Sequence, residues 1–340
     1  MSDTLKIKKD TMPNPDNTSG SSAQSHVCIG DMKANTGVSG FYVLQSAAVK
    51  TTLSGKSYLS GTVSDKTGAI PVIYWDCTVC PAEEGGAVFL KGQVTEFKGS
   101  LQINLDAIRA ASPDEDLSYL VPVAPIDAEA MFAQIEATVD SLTDSDYKAV
   151  CREFLSRYAR QLQTIPAAKS VHHGFLRGLL MHTGSMLNIA EDLSALYSQV
   201  IHRDLLLTGT LLHDFAKREE FTFSGLGLVS GYSTKGQLLG HLVMGAQDIA
   251  EVCKELNVPE EKSVLLQHLL LAHHGKPEYG AAVVPMCAES ELLSLIDMLD
   301  SRMEIYRETL EQTPLGQFSG QVFALDGHRI YHHYDPEHRG

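Results

Sequence analysis

The spacing of apolar residues changes once along the chain, from a two-residue repeat to a helical repeat. Between residues 26 and 112, apolar and polar positions alternate along SYLSGTVSDKTGAIPVIYWD and AVFLKGQVTEFKGSLQINLDAI, and the alternation breaks at DKTG and FKGS. Alternation predicts half-buried strands, and short breaks that contain Gly predict hairpin turns. Several short strands at this spacing predict a small β-barrel over residues 26–112.

The rest of the chain follows the helical repeat. From Asp127 onward, apolar residues recur at three- and four-residue intervals, which predicts helices. The predicted helical segments are 127–142, 147–162, 175–196, 203–218, 237–256, 260–274 and 288–310. The stretch 220–236 is rich in Gly and Ser and predicts a loop or a short hairpin. The fold class expected is therefore multidomain α and β, with a small barrel followed by an all-α domain.

Polar stretches set the expected domain boundaries. Residues 1–25 are rich in Ser, Asn, Asp, Gly and Thr, and they are predicted to form a flexible tail. Residues 113–126 carry three prolines and three acidic residues, which predicts a linker. The helical domain is expected over residues 127–330, followed by a polar C-terminal tail over residues 331–340.

Charge and composition narrow the class of protein. The formal net charge is −15, yet residues 26–112 carry seven basic and seven acidic side chains, so the acidity lies mainly in the helical part. An acidic domain can handle phosphates if metal ions supply local positive charge. Six cysteines in 340 residues are too few for a disulfide scaffold. The N-terminus lacks the apolar core of a secretory signal, so we expect a cytoplasmic protein without a membrane partner.

Histidine and aspartate recur on the inward faces of the predicted helices. Leu179 and Met186 flank His182 at helical spacing, and a His-Asp pair ends the apolar run LLLTGTLLHD. Each such residue alone is ordinarily a hydrogen-bonded core residue, but burying the whole set is costly unless it binds something. Imidazole and carboxylate are ligands of Mn, Fe, Co, Ni and Zn. The set predicts a metal centre, and its members are His182, His213, Asp214, His241, His273, His274 and Asp297.

The order of these residues resembles the HD phosphohydrolase superfamily over about residues 165–305. The resemblance implies a core metal held by His182, His213, Asp214 and Asp297, and a second ion that Asp214 would share with His241 and the His273–His274 pair. Lys217, in HDFAK, matches a lysine that can meet a substrate phosphate. Asp214 and Lys217 are therefore the expected catalytic residues, acting on a phosphodiester with a metal-activated water.

The predicted barrel narrows the substrate. Its sequence resembles an oligonucleotide/oligosaccharide-binding (OB) barrel of the tRNA-anticodon type, whose strands present aromatic side chains on which bases stack. The candidates for substrate contact in the barrel are Trp75, Tyr58, Phe97 and Lys98, and packing in the barrel core is the alternative for the aromatics. Tyr74 and Trp75 point to opposite faces of a strand, so one of them is expected in the core. Arg302 is a further candidate in the helical domain.

An OB barrel joined to an HD domain resembles the YhaM family of 3′→5′ exoribonucleases. PAAKSVHHGFLRGLLMHTGSML, LLHDFAKREEF and LLLAHHGKPEYGAAVVP carry the resemblance, which covers most of residues 26–330. It implies one or two ions, with Mn²⁺ preferred, and single-stranded RNA or DNA as substrate, trimmed from the 3′ end. His172 and His173 would help to hold the substrate. Members usually carry Ile-Gly after the His-Asp pair, where this chain has Phe215-Ala216.

Two other functions stay open. The first is an HD phosphohydrolase of nucleotides or cyclic nucleotides in which the barrel is a sensor, although KPEYG stands where a cyclic-dinucleotide enzyme would carry GYP. The second is a nucleic-acid-binding module with a vestigial site, against which the complete ligand set argues. The sequence does not decide which of His273 and His274 coordinates, or whether the chain forms a homo-oligomer.

Overall fold

A computed structural model gives the fold over residues 26–112, 115, 117–168 and 174–334. The tail predicted at residues 1–25, His172 and His173 lie outside this described part of the chain. No helix within it is both long and apolar enough to cross a membrane.

Five strands in the N-terminal part close into a barrel. They are β1 (Gly37–Thr51), β2 (Ser57–Asp65), β3 (Gly68–Trp75), β4 (Ala87–Phe97) and β5 (Ser100–Ala110). The strand order is β1-β2-β3-β5-β4, and β4 returns to β1. The β3–β5 pair is parallel, whereas the other pairs are antiparallel. A closed barrel of five strands in this order is an OB fold, which confirms the predicted N-terminal barrel.

The alternation in the sequence explains the barrel. Leu59, Val63, Leu90 and Ile103 are fully buried inside it, while the residues between them face outward. The predicted turns are also present, and in the β4–β5 turn Lys98 and Gly99 have φ of 53° and 81°. Positive φ at two successive residues is the geometry of a tight hairpin turn whose twist matches the strands.

The rest of the described chain is mostly helical. The helices are α1 (Ala128–Ser141), α2 (Ser145–Thr164), α3 (Gly178–Leu196), α4 (Arg203–Leu212), α5 (Lys217–Glu220), α6 (Thr234–Glu255), α7 (Glu260–Ala272) and α8 (Ala288–Glu311). Short 3₁₀ turns occupy Ile29–Asp31, Ser118–Leu120, Pro277–Tyr279 and Phe323–Leu325. A hairpin of β6 (Phe221–Phe223) and β7 (Val229–Tyr232) fills the Gly- and Ser-rich stretch.

One predicted helix is divided in the structure. The helix expected over residues 203–218 ends at Leu212, and the backbone turns through residues 213–216 before α5 begins. The break falls at the His-Asp pair, so a continuous helical pattern across it was a wrong prediction. Because of the turn, the successive side chains of His213 and Asp214 face the same cluster. In a continuous helix they would point about 100° apart.

Helix α4 lies at the centre of the helical part. Every residue from Asp204 to Leu212 is buried, and its apolar side chains join the main core with those of α2, α3, α7 and α8. Asp204 is tolerated there because its carboxylate accepts hydrogen bonds from the backbone of Thr143 and Asp144, each at 2.7 Å. The helix therefore delivers its C-terminal end, and the residues after it, into the protein interior.

Contacts of the linker and of the β6–β7 hairpin connect the two parts of the chain. The backbone N–H of Ala124 donates to Leu176, and that of Leu176 donates to Pro122, at 2.9 and 3.0 Å. The tip of the β6–β7 hairpin reaches the barrel, since a Cβ built on Gly85 would lie 3.2 Å from Ser224. At the other end of the chain, residues 331–334 were placed in the C-terminal tail, yet Tyr331 pairs with Phe318.

Candidate metal centre

The first group of ligands comes from three elements. His182 lies on α3, Asp297 on α8, and His213 and Asp214 in the turn after α4. The Nε2 atom of His182 lies 3.3 Å from Asp297 Oδ1, and that of His213 lies 3.3 Å from Asp214 Oδ2. The two Nε2 atoms are themselves 3.3 Å apart. Four potential donors to a metal therefore converge in the buried interior.

The second group lies on the other side of Asp214. His241, on α6, has its Nε2 atom 3.4 Å from Asp214 Oδ1, and the Nε2 atom of His273 lies 3.9 Å from the same oxygen. His274 completes the group, and its ring centroid lies 4.5 Å from that of His273. Since Oδ2 faces the first group and Oδ1 faces the second, the Asp214 carboxylate is shared between them.

The hydrogen bonds at the far side of each ring fix how it presents Nε2. Two of the rings donate from Nδ1–H to a carboxylate: His182 to Asp300 at 2.7 Å and His241 to Glu220 at 3.0 Å. The other two donate from Nδ1–H to a backbone carbonyl: His213 to Thr210 at 2.8 Å and His273 to Leu270 at 2.7 Å. A proton held on Nδ1 leaves Nε2 with a lone pair. This is the arrangement in which imidazole serves as a metal ligand.

The unpartnered atoms give a direct test of whether a cation fits. Four buried atoms at the cluster accept no hydrogen bond in the described structure, and they are Asp214 Oδ1, His241 Nε2, His273 Nε2 and His274 Nδ1. A buried polar atom without a partner costs about 1–3 kcal/mol. One ligand atom of each of His241, His273 and His274 lies within 4.8 Å of the other two, beside the Asp214 carboxylate, so a divalent cation bound there would take up such unpartnered lone pairs. The donor set thus fits divalent metal, in line with the predicted metal centre.

Glycines set the geometry of the second group. Gly240 has φ of 72° inside α6, which kinks the helix immediately before His241. The kink frees the backbone N–H of His241 to donate to the Glu220 carboxylate at 3.1 Å, beside the bond from its ring. Gly275, with φ of 76°, ends the segment after His273 and His274. Left-handed backbone at these two positions favours glycine.

Burial and charge act against each other at Asp214. Burial would raise the pKa of Asp214, but the positive charge of Lys217, with a contribution from the neighbouring His213, outweighs burial and holds the pKa well below its ordinary value. The Lys217 Nζ atom lies 2.7 Å from Asp214 Oδ2. Burial would in turn lower the pKa of Lys217, and Asp214 raises it instead. The pair therefore stays charged in the interior.

Charge also builds up around His182. Burial would lower the pKa of His182, but its hydrogen bonds to Asp297 and Asp300 raise the pKa to about 9. In the absence of a metal, His182 is therefore protonated and supplies the positive charge between these two carboxylates. His273 behaves in the opposite way, because burial and the neighbouring His213 and His274 hold its pKa well below the ordinary value. A neutral His273 is ready to act as a ligand.

The structure brings together the predicted ligands and separates some of the predicted substrate contacts. Arg302 follows Asp297 by five residues on α8, which is about 140° around the helix, so it faces away from the ligands. In the barrel, Tyr58 and Trp75 pair across β2 and β3 with ring centroids 5.0 Å apart. Trp75 is 49% exposed, whereas Tyr74 packs against the barrel core.

Phe97 and Lys98 lie at the opposite end of the barrel. They directly precede β5, and β5 runs parallel to β3 with Ile103 beside Val72. The start of β5 therefore lies beside the start of β3, whereas Trp75 lies at the end of β3. Phe97 is 58% exposed, and the Lys98 Nζ atom lies 5.4 Å from the centroid of its ring. The four barrel candidates therefore form two separate pairs.

Two functional positions were missed from the sequence. The Asp300 carboxylate accepts hydrogen bonds from the His182 ring and from the Ser185 hydroxyl. The Glu220 carboxylate accepts hydrogen bonds from the backbone N–H and the ring of His241. A signal existed for Asp300, since it lies one helical turn from Asp297 and on the same inward face. Glu220 gave none, because only the turn after α4 and the kink in α6 bring it to His241.

The comparisons agree with this geometry. The family model described as "HD domain" matches residues 179–302, which contain every predicted ligand. The chain is therefore an HD-domain protein with an N-terminal OB barrel. In the barrel, the solution structure of the second OB-fold domain of replication protein A from Methanococcus maripaludis is 20% identical, with coverage of 27% of this chain and 99% of that one and a TM-score of 0.22.

Similarity to curated proteins extends over most of the chain. The "3'-5' exoribonuclease YhaM" of Oceanobacillus iheyensis is 33% identical over 298 residues, which are 86% of this chain and 92% of that protein. The protein of the same name from Listeria welshimeri is 33% identical over 307 residues, 88% of this chain and 96% of the relative. The chain belongs to the YhaM family and is an enzyme of the hydrolytic nuclease class.

Phe215 and Ala216, which stand where members of the family usually carry Ile-Gly, are both packed in the core. Phe215 is buried and its ring meets that of Phe154 edge-on, with centroids 5.8 Å apart. Ala216 is buried opposite Gly245, where an added Cβ would lie 3.6 Å from the Ala216 side chain. The Phe-Ala pair thus packs in the core behind the His-Asp turn, and Lys217 contacts Asp214.

Substituting single ligands should remove ions separately. We expect wild-type protein to bind two divalent ions, His182→Ala and His241→Ala to bind one each, and Asp214→Ala to bind none, because its carboxylate faces both groups. Calorimetric titration of metal-free protein with Mn²⁺ measures the stoichiometry. His328→Ala, an exposed histidine outside the cluster, is the control. Unchanged stoichiometry in the His241→Ala protein would contradict the second group.

Proposed function

We propose that the protein is a metal-dependent 3′→5′ exoribonuclease that hydrolyses single-stranded RNA, with single-stranded DNA as a further substrate. The observation that carries the proposal is the Asp214 carboxylate, which lies between two groups of imidazole ligands. The similarity over most of the chain to proteins named 3′-5′ exoribonuclease supports the choice of substrate and polarity. The cytoplasmic location predicted from the sequence belongs to the same proposal.

Manganese is the metal we propose, as one or two ions. The donors are imidazole nitrogens and carboxylate oxygens, a set that suits Mn, Fe, Co, Ni and Zn. The choice of Mn²⁺ within that set comes from the family resemblance. Two bound divalent ions would supply an activated water and neutralise charge on the phosphoryl oxygens.

The residues of the chain divide the remaining work. Asp214 holds both groups in register, and Lys217, beside its Oδ2 atom, places a permanent positive charge where a substrate phosphate would arrive. Asp300 and Glu220 keep His182 and His241 in the orientation and tautomer that leave Nε2 free. The catalytic role of Lys217 is electrostatic in this proposal, since a lysine with a raised pKa does not act as a base.

The barrel would hold the strand upstream of the site. Trp75 and Tyr58 offer adjacent rings for stacked bases, and Lys98 with Phe97 offers a second contact at the other end. The barrel carries no net charge over residues 26–112, so stacking rather than phosphate attraction would dominate its affinity. His172 and His173 remain proposed substrate contacts, whereas Arg302, which faces away from the ligands on α8, is not proposed as a contact at the metal centre.

Trimming of 5′-labelled single-stranded RNA tests the activity. With Mn²⁺ present we expect a ladder of labelled products that shortens progressively from the 3′ end, because hydrolysis begins at the terminal phosphodiester. Asp214→Ala should abolish it by removing the shared ligand. Asp192→Ala, an exposed aspartate on α3, is the matched control and should retain the wild-type ladder.

Other products would contradict the proposal. Labelled fragments that end at internal positions from the earliest times would indicate an endonuclease. Intact RNA together with hydrolysis of free nucleotides would favour the phosphohydrolase in which the barrel is a sensor. Chelation of the metal should stop the wild-type reaction, and added Mn²⁺ should restore it.

Trp75 is the sole tryptophan of the chain, so it reports on the barrel directly. We expect single-stranded RNA, titrated into metal-free protein, to change the tryptophan emission, because a stacked base covers the exposed indole ring. Tyr58→Ala should weaken the RNA affinity at this pair, whereas Tyr197→Ala, an exposed tyrosine at the end of α3, should not. RNA binding that is detected by anisotropy without any change in emission would contradict stacking on Trp75.

We propose in addition that the chain forms a homo-oligomer. Helix α8 exposes a row of apolar side chains at helical spacing on the face opposite Asp297, namely Leu295, Met298, Leu299 and Met303. A large apolar patch on a water-exposed helix is typical of an interface, and two copies of one helix can pair symmetrically.

A charge placed in this row tests self-association. Leu299→Lys should lower the sedimentation coefficient to that of a monomer, because a lysine would be buried without a partner between the copies. Leu238→Lys, which alters an exposed leucine on α6 outside the row, should leave the coefficient unchanged. A wild-type protein that sediments as a monomer at all concentrations would contradict this interface.

A further inference from the structure

The C-terminal segment carries a row of exposed aromatic rings that the metal centre does not use. Phe318 and Tyr331 lie with ring centroids 4.9 Å apart, and the ring of His333 stacks on Tyr331 at 6.3 Å with an interplanar angle of 13°. Phe318 is 57% exposed and Tyr331 is 46% exposed. We call these three residues the C-terminal ring row.

The ring row is held on a fixed support. Tyr331 and Phe318 face each other across an antiparallel bridge, and backbone bonds join Gly316 and Gln317 to His332 at 2.7 and 3.0 Å. The His332 ring donates to the Thr313 carbonyl at 2.6 Å. Rings on such a support lose little freedom when a ligand stacks on them.

The support is anchored to the helix that supplies a metal ligand. Leu325 and Ile330 are buried against Ile305 of α8, which follows Asp297 by eight residues on the same helix. Eight residues correspond to about 12 Å along a helix axis. The ring row is therefore rigidly connected to the metal centre.

The charge around the ring row differs from that of the rest of the helical part. Residues 312–334 contain one acidic side chain, Asp326, and one basic side chain, Arg329, together with three histidines. The Arg329 guanidinium lies 5.6 Å from the centroid of the Phe318 ring, and its Nε–H donates to the Ser319 carbonyl at 2.9 Å. An exposed cation thus borders the rings, and residues 312–334 carry no net charge when the histidines are neutral.

A groove connects this segment with the barrel. Lys66, in the β2–β3 turn, lines it from the barrel, and Arg307, Glu308, Glu311 and Gln312 line it from the end of α8. Its volume is about 580 Å³, and Gln312 directly precedes the segment that carries the ring row. The groove therefore joins the barrel to the start of this segment, and its side chains carry charges of both signs, with Arg307 paired to Glu304 and Glu311.

We propose that the C-terminal ring row is a second binding site for single-stranded nucleic acid. Bases stack on Phe318, Tyr331 and His333, and Arg329 contacts the phosphate beside them. Ring stacking accepts every base, which suits an enzyme that must hold a strand of changing sequence. The inference rests on the proposed function, because it assigns the site to the same substrate strand.

The choice of a nucleic acid over a protein partner rests on the family of the chain and on the position of the ring row. Aromatic rings and arginine are also enriched at the centres of protein interfaces, so the rings alone do not select the partner. The chain is similar over most of its length to proteins named 3′-5′ exoribonuclease, and a groove joins this segment to the barrel. The three rings with Arg329 beside them offer the ring contacts and the cation that hold single strands.

Binding without cleavage tests the proposal. Fluorescence anisotropy of 5′-labelled oligouridylates of increasing length, measured on full-length protein in a chelator, gives the dissociation constants. For the longer oligomers we expect Phe318→Ala and Tyr331→Ala each to weaken binding by at least about fivefold, the low end for the loss of one base stack. Tyr331→Phe keeps the ring and should bind as the wild type does. The shortest oligomers should show no difference, because they cannot span both sites.

Controls separate this proposal from a structural effect and from the proposed function. Phe323→Ala removes an 88% exposed aromatic of the same segment that lies outside the ring row, and it should leave the affinity unchanged. All variants should keep the wild-type melting temperature and Mn²⁺ stoichiometry. Wild-type protein that trims RNA while both ring variants bind every oligomer normally would overturn the ring row alone. Wild-type protein that neither binds nor trims RNA would overturn the proposed function.

A protein partner on this face would give another outcome. If Tyr331→Ala changed the sedimentation coefficient of the protein and left its RNA affinity intact, the ring row would be an interface between copies of the chain. That result would also overturn the proposal.

Discussion

A single buried carboxylate constrains the helical half of the molecule. Asp214 presents one oxygen to His182 and His213 and the other to His241 and His273, so four elements must meet at one point. The buried helix α4 brings the carboxylate there, and Lys217 keeps it ionised against the effect of burial. A carboxylate in the interior without these charges would be costly. The core packing around α4 thus serves an electrostatic requirement as well as an apolar one.

The same constraint couples the site to the barrel. Helix α5 carries Lys217 at one end and Glu220 at the other, and β6 continues from it without a break. Glu220 orients His241, while the hairpin that follows reaches Gly85 in the barrel. Eleven residues after Asp214, at Gly225, the chain already lines a cavity shared with the barrel residues Ala82 and Ala110. A displacement of the barrel would therefore move the hairpin and, through it, Glu220, which positions His241 in the second group of ligands.

Residue periodicity predicted the barrel and most of the helices. The alternation placed the barrel strands, and the helical repeat placed His182 and Asp297 on inward faces. The division of the helix at the His-Asp pair was not predicted, because apolar residues continue through it. Contacts made across the fold were also out of reach. The His182–Asp300 bond joins residues 118 positions apart, and the separation of Trp75 from Phe97 follows from the parallel β3–β5 pairing.

Net charge explains why the proposed binding of a single strand would depend on rings. A protein of net charge −15 repels a phosphate backbone at long range, and its neutral barrel offers few cations to offset that repulsion. Stacking does not depend on the net charge, since it acts through contact between ring faces. Cations are then required mainly where a phosphate must come close to a carboxylate cluster. Lys217 lies at that point, next to Asp214, and divalent ions held by the two ligand groups would supply the rest of the positive charge.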